Sequence, residues 1–258
     1  MNTLIRTAGQ PLPVWRQVLR PYRAELVAEL RRAWRTPAFA VPSLLFPVLF
    51  YLLFGVLLGR GHAPLYLLAT YCVFGAMAPA LFGFGVQLAL DREGGLLTLK
   101  RALPMPAAAP LLARLAMAVM FALLVASLLI GVAHVFGGVQ LHALQVLQLL
   151  AVAGLAALPL GAIGLLIGSH VSASAAPAMV NLVYLPLALL SGLWLPLSAL
   201  PTVFSTMAPL WPTWHLAQLA LPVVGLPSIG SLAGHLLVLL AVTVGALLLA
   251  RRRLRRIG

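Results

Sequence analysis

The sequence predicts an all-α membrane protein with six transmembrane helices, and three features predict it. Hydrophobic residues fill 62% of the 258 positions and charged residues only 8%, against about 25% charged in a soluble domain. Six apolar runs, near 38–59, 64–90, 107–136, 143–168, 174–196 and 229–250, are each long enough to cross a hydrocarbon layer about 30 Å thick. Sixteen of the seventeen Lys and Arg lie in connections on one side of those runs, and only Arg60 lies on the other. Positive charge collects on the cytoplasmic side, so both termini are expected there.

The chain divides into a basic N-terminal segment, 1–36, a six-span domain, 37–250, and a basic tail, 251–258. In the first segment Trp15, Leu19, Tyr22, Leu26 and Leu30 recur at helical spacing, with arginines, Glu25 and Glu29 on the other faces. This is the pattern of an amphipathic helix lying at the membrane interface. With seven arginines and no apolar run of signal-peptide length, the segment does not read as a cleaved leader.

The spans are apolar all round, unlike the alternating strands of a membrane barrel. Prolines interrupt them at Pro42, Pro47, Pro79, Pro159, Pro177 and Pro186, which predicts kinks, because neighbouring helices re-satisfy the freed backbone groups. Between spans five and six, residues 197–228 carry no charge but contain Phe204, Met207, Trp211, Trp214 and five prolines. Water solvates such a loop poorly, and the expectation is short re-entrant helices or a seat in the headgroup zone. The five arginines of the tail fix topology.

Several chemistries are excluded. All four acidic residues, Glu25, Glu29, Asp91 and Glu93, fall outside the apolar runs, so no carboxylate is placed at membrane depth for an ion- or proton-driven cycle. The only lysine, Lys100, follows Leu99 and not the glycine of a phosphate-binding loop. Gly168-Ser169-His170 has no neighbouring acid and is read as a turn. The lone Cys72 excludes a disulfide framework, and the histidines show no spacing that gathers a metal site. The basic charge is confined to connections, so no nucleic-acid surface is expected.

The one dense polar cluster is Asp91-Arg92-Glu93-Gly94-Gly95, followed by Leu96-Leu97-Thr98-Leu99-Lys100-Arg101-Ala102-Leu103-Pro104. Acids before and bases at the end of this stretch suit a short helix that Pro104 stops. Two readings stay open on periodicity: a docking element for a soluble partner, or a loop packed on the membrane surface.

Three ordered stretches carry a family resemblance: Arg35-Thr36-Pro37 with Phe46-Pro47 to Gly55; Asp91-Arg92-Glu93 with Gly95 and Leu103-Pro104; and Ser191-Gly192-Leu193-Trp194-Leu195-Pro196 with Leu200-Pro201 and Pro209-Leu210-Trp211-Pro212. Together they resemble the membrane subunit of type 2 ATP-binding-cassette (ABC) exporters. The resemblance implies a permease that is not itself an enzyme, in a bacterial inner membrane, with membrane lipids around it. It implies a separate cytosolic ABC ATPase that holds the ATP and Mg, leaving no cofactor in this chain, and a homodimer of permeases. It assigns ATPase coupling to Asp91, Arg92, Glu93, Gly95, Leu96 and Pro104. Leu96 and Thr98 depart from the Thr and Glu of many relatives, which implies a more apolar docking surface.

On that reading two copies enclose a path lined by spans one, two and five. Phe46, Phe50, Thr70, Tyr71, Phe74, Asn181 and Tyr184 are its candidate lining residues, since aromatic and neutral polar groups meet an amphipathic drug, lipid-linked molecule or glycan without burying charge. The rival readings are a membrane anchor without transport, and a polytopic enzyme using groups such as His215.

Overall fold

The computed structural model describes residues 14–102, 105–106 and 108–257, and among them every regular element is helical. In chain order these are α1 (Val14–Arg35), α2 (Pro37–Phe50, continued by a π-helical segment Tyr51–Leu57), α3 (Ala63–Glu93), α4 (Leu96–Ala102), α5 (Ala109–Val135), α6 (Ala143–His170), α7 (Ala176–Leu189), α8 (Thr202–Met207), α9 (Pro212–Ala220) and α10 (Leu232–Ile257). Five of them are long and apolar enough to cross a membrane: α2 with its π segment, α3, α5, α6 and α10.

The sequence expects a sixth such run over 174–196. The structure gives α7 only 14 residues there, about 21 Å of helix at 1.5 Å per residue. The chain turns at Ser191-Gly192, where Gly192 takes a left-handed φ of 78°. The hydroxyls of Ser191 and Thr213 donate to the Leu187 carbonyl, which the end of the helix leaves free. From α3, Tyr66 donates to the Gly192 carbonyl at 2.8 Å and Tyr71 to the Trp194 carbonyl at 3.2 Å. Backbone that leaves helical form at this depth is thus satisfied by protein.

The prolines inside α2, α3, α6 and α7 leave each helix continuous. In α2 the change to π-helical winding begins four residues after Pro47, at the buried Tyr51, whose hydroxyl donates to the Pro64 carbonyl at 3.2 Å.

The bundle is organised around α3, which packs against α5, α6, α7, α9 and both parts of α2. Its middle is buried continuously, from Leu67 through Met77. Small residues bring α3 and α6 together. A Cβ added to Gly168 would stand 2.2 Å from the Gly85 carbonyl oxygen, and one on Gly164 would stand 2.7 Å from that of Leu81. Two helices of a membrane bundle gain no hydrophobic drive from excluding lipid, so close backbone approach through small residues supplies the contact. Replacing Gly168 by Val should push α6 off α3 at a cost of about 1–3 kcal/mol, read as a lowered melting temperature of the full chain in nanodiscs; Gly131→Val, at a position with open space, should leave it within error.

Candidate coupling site at the basic end of the bundle

The basic ends of α1, α3 and α5 meet around a buried charge network. Glu29 on α1 is 4% exposed, Asp91 on α3 is 4% exposed and Arg114 on α5 is 2% exposed. Arg114 donates from Nε to Glu29 Oε1 at 3.3 Å and from Nη2 to Asp91 Oδ2. Arg32 closes the circuit, with Nη2 3.1 Å from Asp91 Oδ1 and Nη1 3.7 Å from Glu29 Oε1. The result is a neutral ring of alternating sign that joins three helices. Burial alone would lower the Arg32 pKa, but the hydrogen bond and charge of Asp91, with Glu29 and Glu25, outweigh it and hold the guanidinium above its ordinary value.

This geometry alters the reading of α1. The sequence turns its apolar stripe toward a surface and leaves the acids among the solvated faces. In the fold Glu29 and Ala33 are the most deeply buried of the α1 side chains described, while Leu19 is 47% exposed and Tyr22, Leu26 and Leu30 are half-buried. Glu29 turns inward because Arg114 meets it there, and a carboxylate buried without that counter-charge would be strongly destabilising. Trp15 contributes a side chain outside the described set.

Arg92 and Glu93 take separate parts. Arg92 reaches across to the C-terminus of α6, donating to the carbonyls of Gly168 at 3.2 Å, Ser169 at 2.7 Å and Val171 at 2.6 Å. A cation at the negative end of a helix dipole, satisfying carbonyls without intrahelical partners, is a favourable cap. Glu93 stays exposed, 3.8 Å from Arg92. Gly95, at φ 72°, makes the tight turn into α4.

On α4, Leu97 packs into the main core, Leu96 is half-buried and Leu99 is 59% exposed. Lys100 reaches back to Glu25 of α1 at 2.6 Å. Each of the chain's four carboxylates therefore has a basic partner, and three of them hold α1 to α3, α4 or α5. Leu103 and Pro104 lie outside the described residues.

The second candidate region is a cavity of about 300 Å³ between α2, α3 and α7, walled by Phe39, Ser43, Phe46, Phe82, Asn181 and Tyr184 among others. Phe46, Phe50, Phe74 and Tyr184 form one aromatic cluster, with ring centroids 4.3 Å apart for Phe46 and Phe50 and 5.8 Å for Phe74 and Tyr184. Of the seven expected path residues, Phe46, Asn181 and Tyr184 line the cavity and Phe50 adjoins it through Phe46. Thr70, Tyr71 and Phe74 are wholly buried within this chain: Thr70 donates to the Tyr66 carbonyl, Tyr71 to that of Trp194, and Phe74 supports the cluster from behind. The sequence reading did not select Phe39, Phe82 or Trp194, because their apolar runs offered no way to tell the cavity-facing side from lipid.

Residues 22–224, which run from α1 to the end of the helical segment after α9, match the ABC-2 type transporter family. The chain belongs to that family. It is also 24% identical over 202 residues to YvfS of Bacillus subtilis (strain 168), named provisionally as a transport permease, the match covering 74% of this chain and 80% of that protein. The protein is thus a multi-pass ABC-2 permease, a transport subunit in kind, and its family implies an ABC ATPase partner in general.

Two outcomes test the network. Arg114→Met leaves the buried Glu29 and Asp91 with Arg32 as their one remaining cation and should cost about 3–5 kcal/mol, whereas Arg114→Lys, a point charge that cannot fork to both carboxylates, should recover only part of that; melting of the two variants in nanodiscs compares them. For Glu25 and Lys100, each single charge reversal should lower the melting temperature and the double swap should restore it, a double-mutant cycle giving the coupling.

Proposed function

We propose that this permease is the membrane half of an ATP-driven exporter, with its basic end in the cytoplasm and its ATPase docked on Glu93, Gly95 and the exposed side of α4. The observation that carries the reading is the continuity of the charge network. Lys100 ties α4 to α1, and the ring around Arg114 ties α1 to α3 and α5. A push on α4 by a closing ATPase dimer has a stiff route to α3, which touches most of the bundle. Asp91 and Arg92 act inside this route, holding α3 to α5 and α6, and Glu93 meets the partner. ATP and Mg belong to that partner.

In the proposed layout α7 and the turn through Pro196 form the fifth of six spans, and α8 and α9 re-enter the membrane from the outside. There α1 lies along the cytoplasmic interface with Tyr22, Leu26 and Leu30 toward lipid headgroups. A second copy faces the α2 and α7 side, so that the cavity bounded by Phe46, Asn181 and Tyr184 becomes the path for an amphipathic or hydrophobic substrate. Its wall carries aromatic rings, one carboxamide and one hydroxyl besides that of Tyr184, but no charge, which suits cargo without a compact ionic group.

Co-reconstitution with the cognate ATPase tests both halves. Glu93→Lys should insert and accumulate normally while losing substrate-stimulated ATP hydrolysis, and normal stimulation would remove the docking role. Asn181→Trp, which fills the cavity, should leave ATPase binding intact and reduce vesicle transport at least several-fold.

A further inference from the structure

At the opposite end of the bundle the fold brings together two histidines that stand 20 positions apart. His215 of α9 and His235 of α10 are 7% and 5% exposed, with their Nδ1 atoms 2.8 Å apart. Trp214 stands edge-on to both rings, at centroid distances of 5.0 and 5.6 Å. His215 Nε2 lies 2.9 Å from the Pro209 carbonyl oxygen. His235 Nε2 is buried with no hydrogen-bond partner among the described residues.

These contacts dictate where the protons sit. A carbonyl only accepts, so His215 Nε2 carries a hydrogen, and the neutral ring then presents a bare Nδ1. His235 Nδ1 must donate to it, which leaves the lone pair of His235 Nε2 without a donor. The neutral pair is self-consistent and holds one vacant basic atom. An added proton on His215 Nδ1 would set two N–H groups head-on at 2.8 Å, so the pair accepts one proton and not two.

We infer that the His215–His235 pair is a single-proton binding site that fastens α9 to α10 when neutral and releases the 226–231 loop when charged. The loop is placed to respond. A Cβ on Gly230 would stand 3.1 Å from His235 Nε2, so backbone covers that atom. Gln218 of α9 accepts from the Ile229 amide at 2.8 Å and holds the loop down. A new N–H at His235 Nε2 has no acceptor there, and water reaches it only if the loop lifts.

The surroundings supply no counter-charge. On α9 the polar neighbours are Thr213, bonded to Leu187, and Gln218; Ser231 comes just before α10, and Thr243, bonded to Leu239, lies within it. From α6 come Gln145, which donates to Val223, and the exposed His142. From α3 come Tyr66 and Tyr71, both bonded to carbonyls. Below the Ala176–Leu189 helix no ionisable group but Tyr184 is present, and Arg60 in the α2–α3 connection is exposed. All four carboxylates are at the basic end. Burial, the largest cause, holds the His215 pKa below its ordinary 6.5, the Pro209 carbonyl working against this and His235 adding to it. Loss of the contact is expected on the acid side, where a proton added to the pair strands an N–H without an acceptor.

The test is ¹⁵N-histidine NMR of the full chain in nanodiscs across pH, with hydrogen exchange of residues 226–231 alongside. The pair should take up one proton and not two. Exchange of the loop, corrected for intrinsic pH dependence, should rise at least several-fold over the same step, and in His235→Phe it should not follow pH. Two independent titrations near 6.5, or a loop whose exchange ignores the step in the unaltered protein, would overturn the inference; both readings use the native chain, so they stand if the variant fails to fold.

Discussion

An ion buried in this bundle has to meet its counter-ion there, and that requirement shapes the basic end. With only four carboxylates against seventeen Lys and Arg, the chain places two of its acids where a single guanidinium can fork between them. Glu29 and Asp91 come from different helices, and Arg114 from a third, so the ring forms only when α1, α3 and α5 are all in place. Breaking such a cluster is costly because it strands a charge in low dielectric, although an apolar cluster of the same shape need not be less stable. What the ionic version adds is directionality. Position and angle are set for each helix, and the short α4 is drawn into the same frame by Lys100.

Deeper in the bundle the rule changes. Between the two polar ends α3 meets its neighbours through glycines, alanines and hydroxyls bonded to backbone, with Cys72 and Thr70 buried and no formal charge. Gly85 against Gly164 and Gly168 gives the closest backbone approach. Movement introduced at α4 meets, in turn, a rigid charged joint and a smooth small-residue seam. The cavity beside Phe46 and Tyr184 borders that seam on the α2 and α7 side, where polar groups are few and aromatic rings supply shape.

The far end is held by weaker means. Hydroxyls and tyrosines satisfy the turn after α7, Arg60 is the only cation, and two neutral histidines face each other. Where the basic end is locked by paired ions, the far end depends on hydrogen bonds among neutral groups. The two ends therefore differ in what holds them: paired ions at one, neutral hydrogen bonds at the other.

Much of the fold was legible in the chain itself. Apolar runs longer than a bilayer and the acid-glycine-leucine cluster that begins at Asp91 depend only on local composition, and the five long helices and α4 followed from them. The burial of Glu29 and Asp91 was not legible, nor was the inward turn of α1. Both depend on Arg114, which lies 85 positions from Glu29 and 23 from Asp91. The shortness of α7 and the meeting of His215 with His235 were hidden for the same reason. The all-helical, lipid-compatible character of the long segments comes from how each alone partitions between water and lipid, which sequence determines by itself; where α7 stops, which ion is paired and which ring lines a cavity are decided by contacts between distant segments, and only the tertiary structure brings those together.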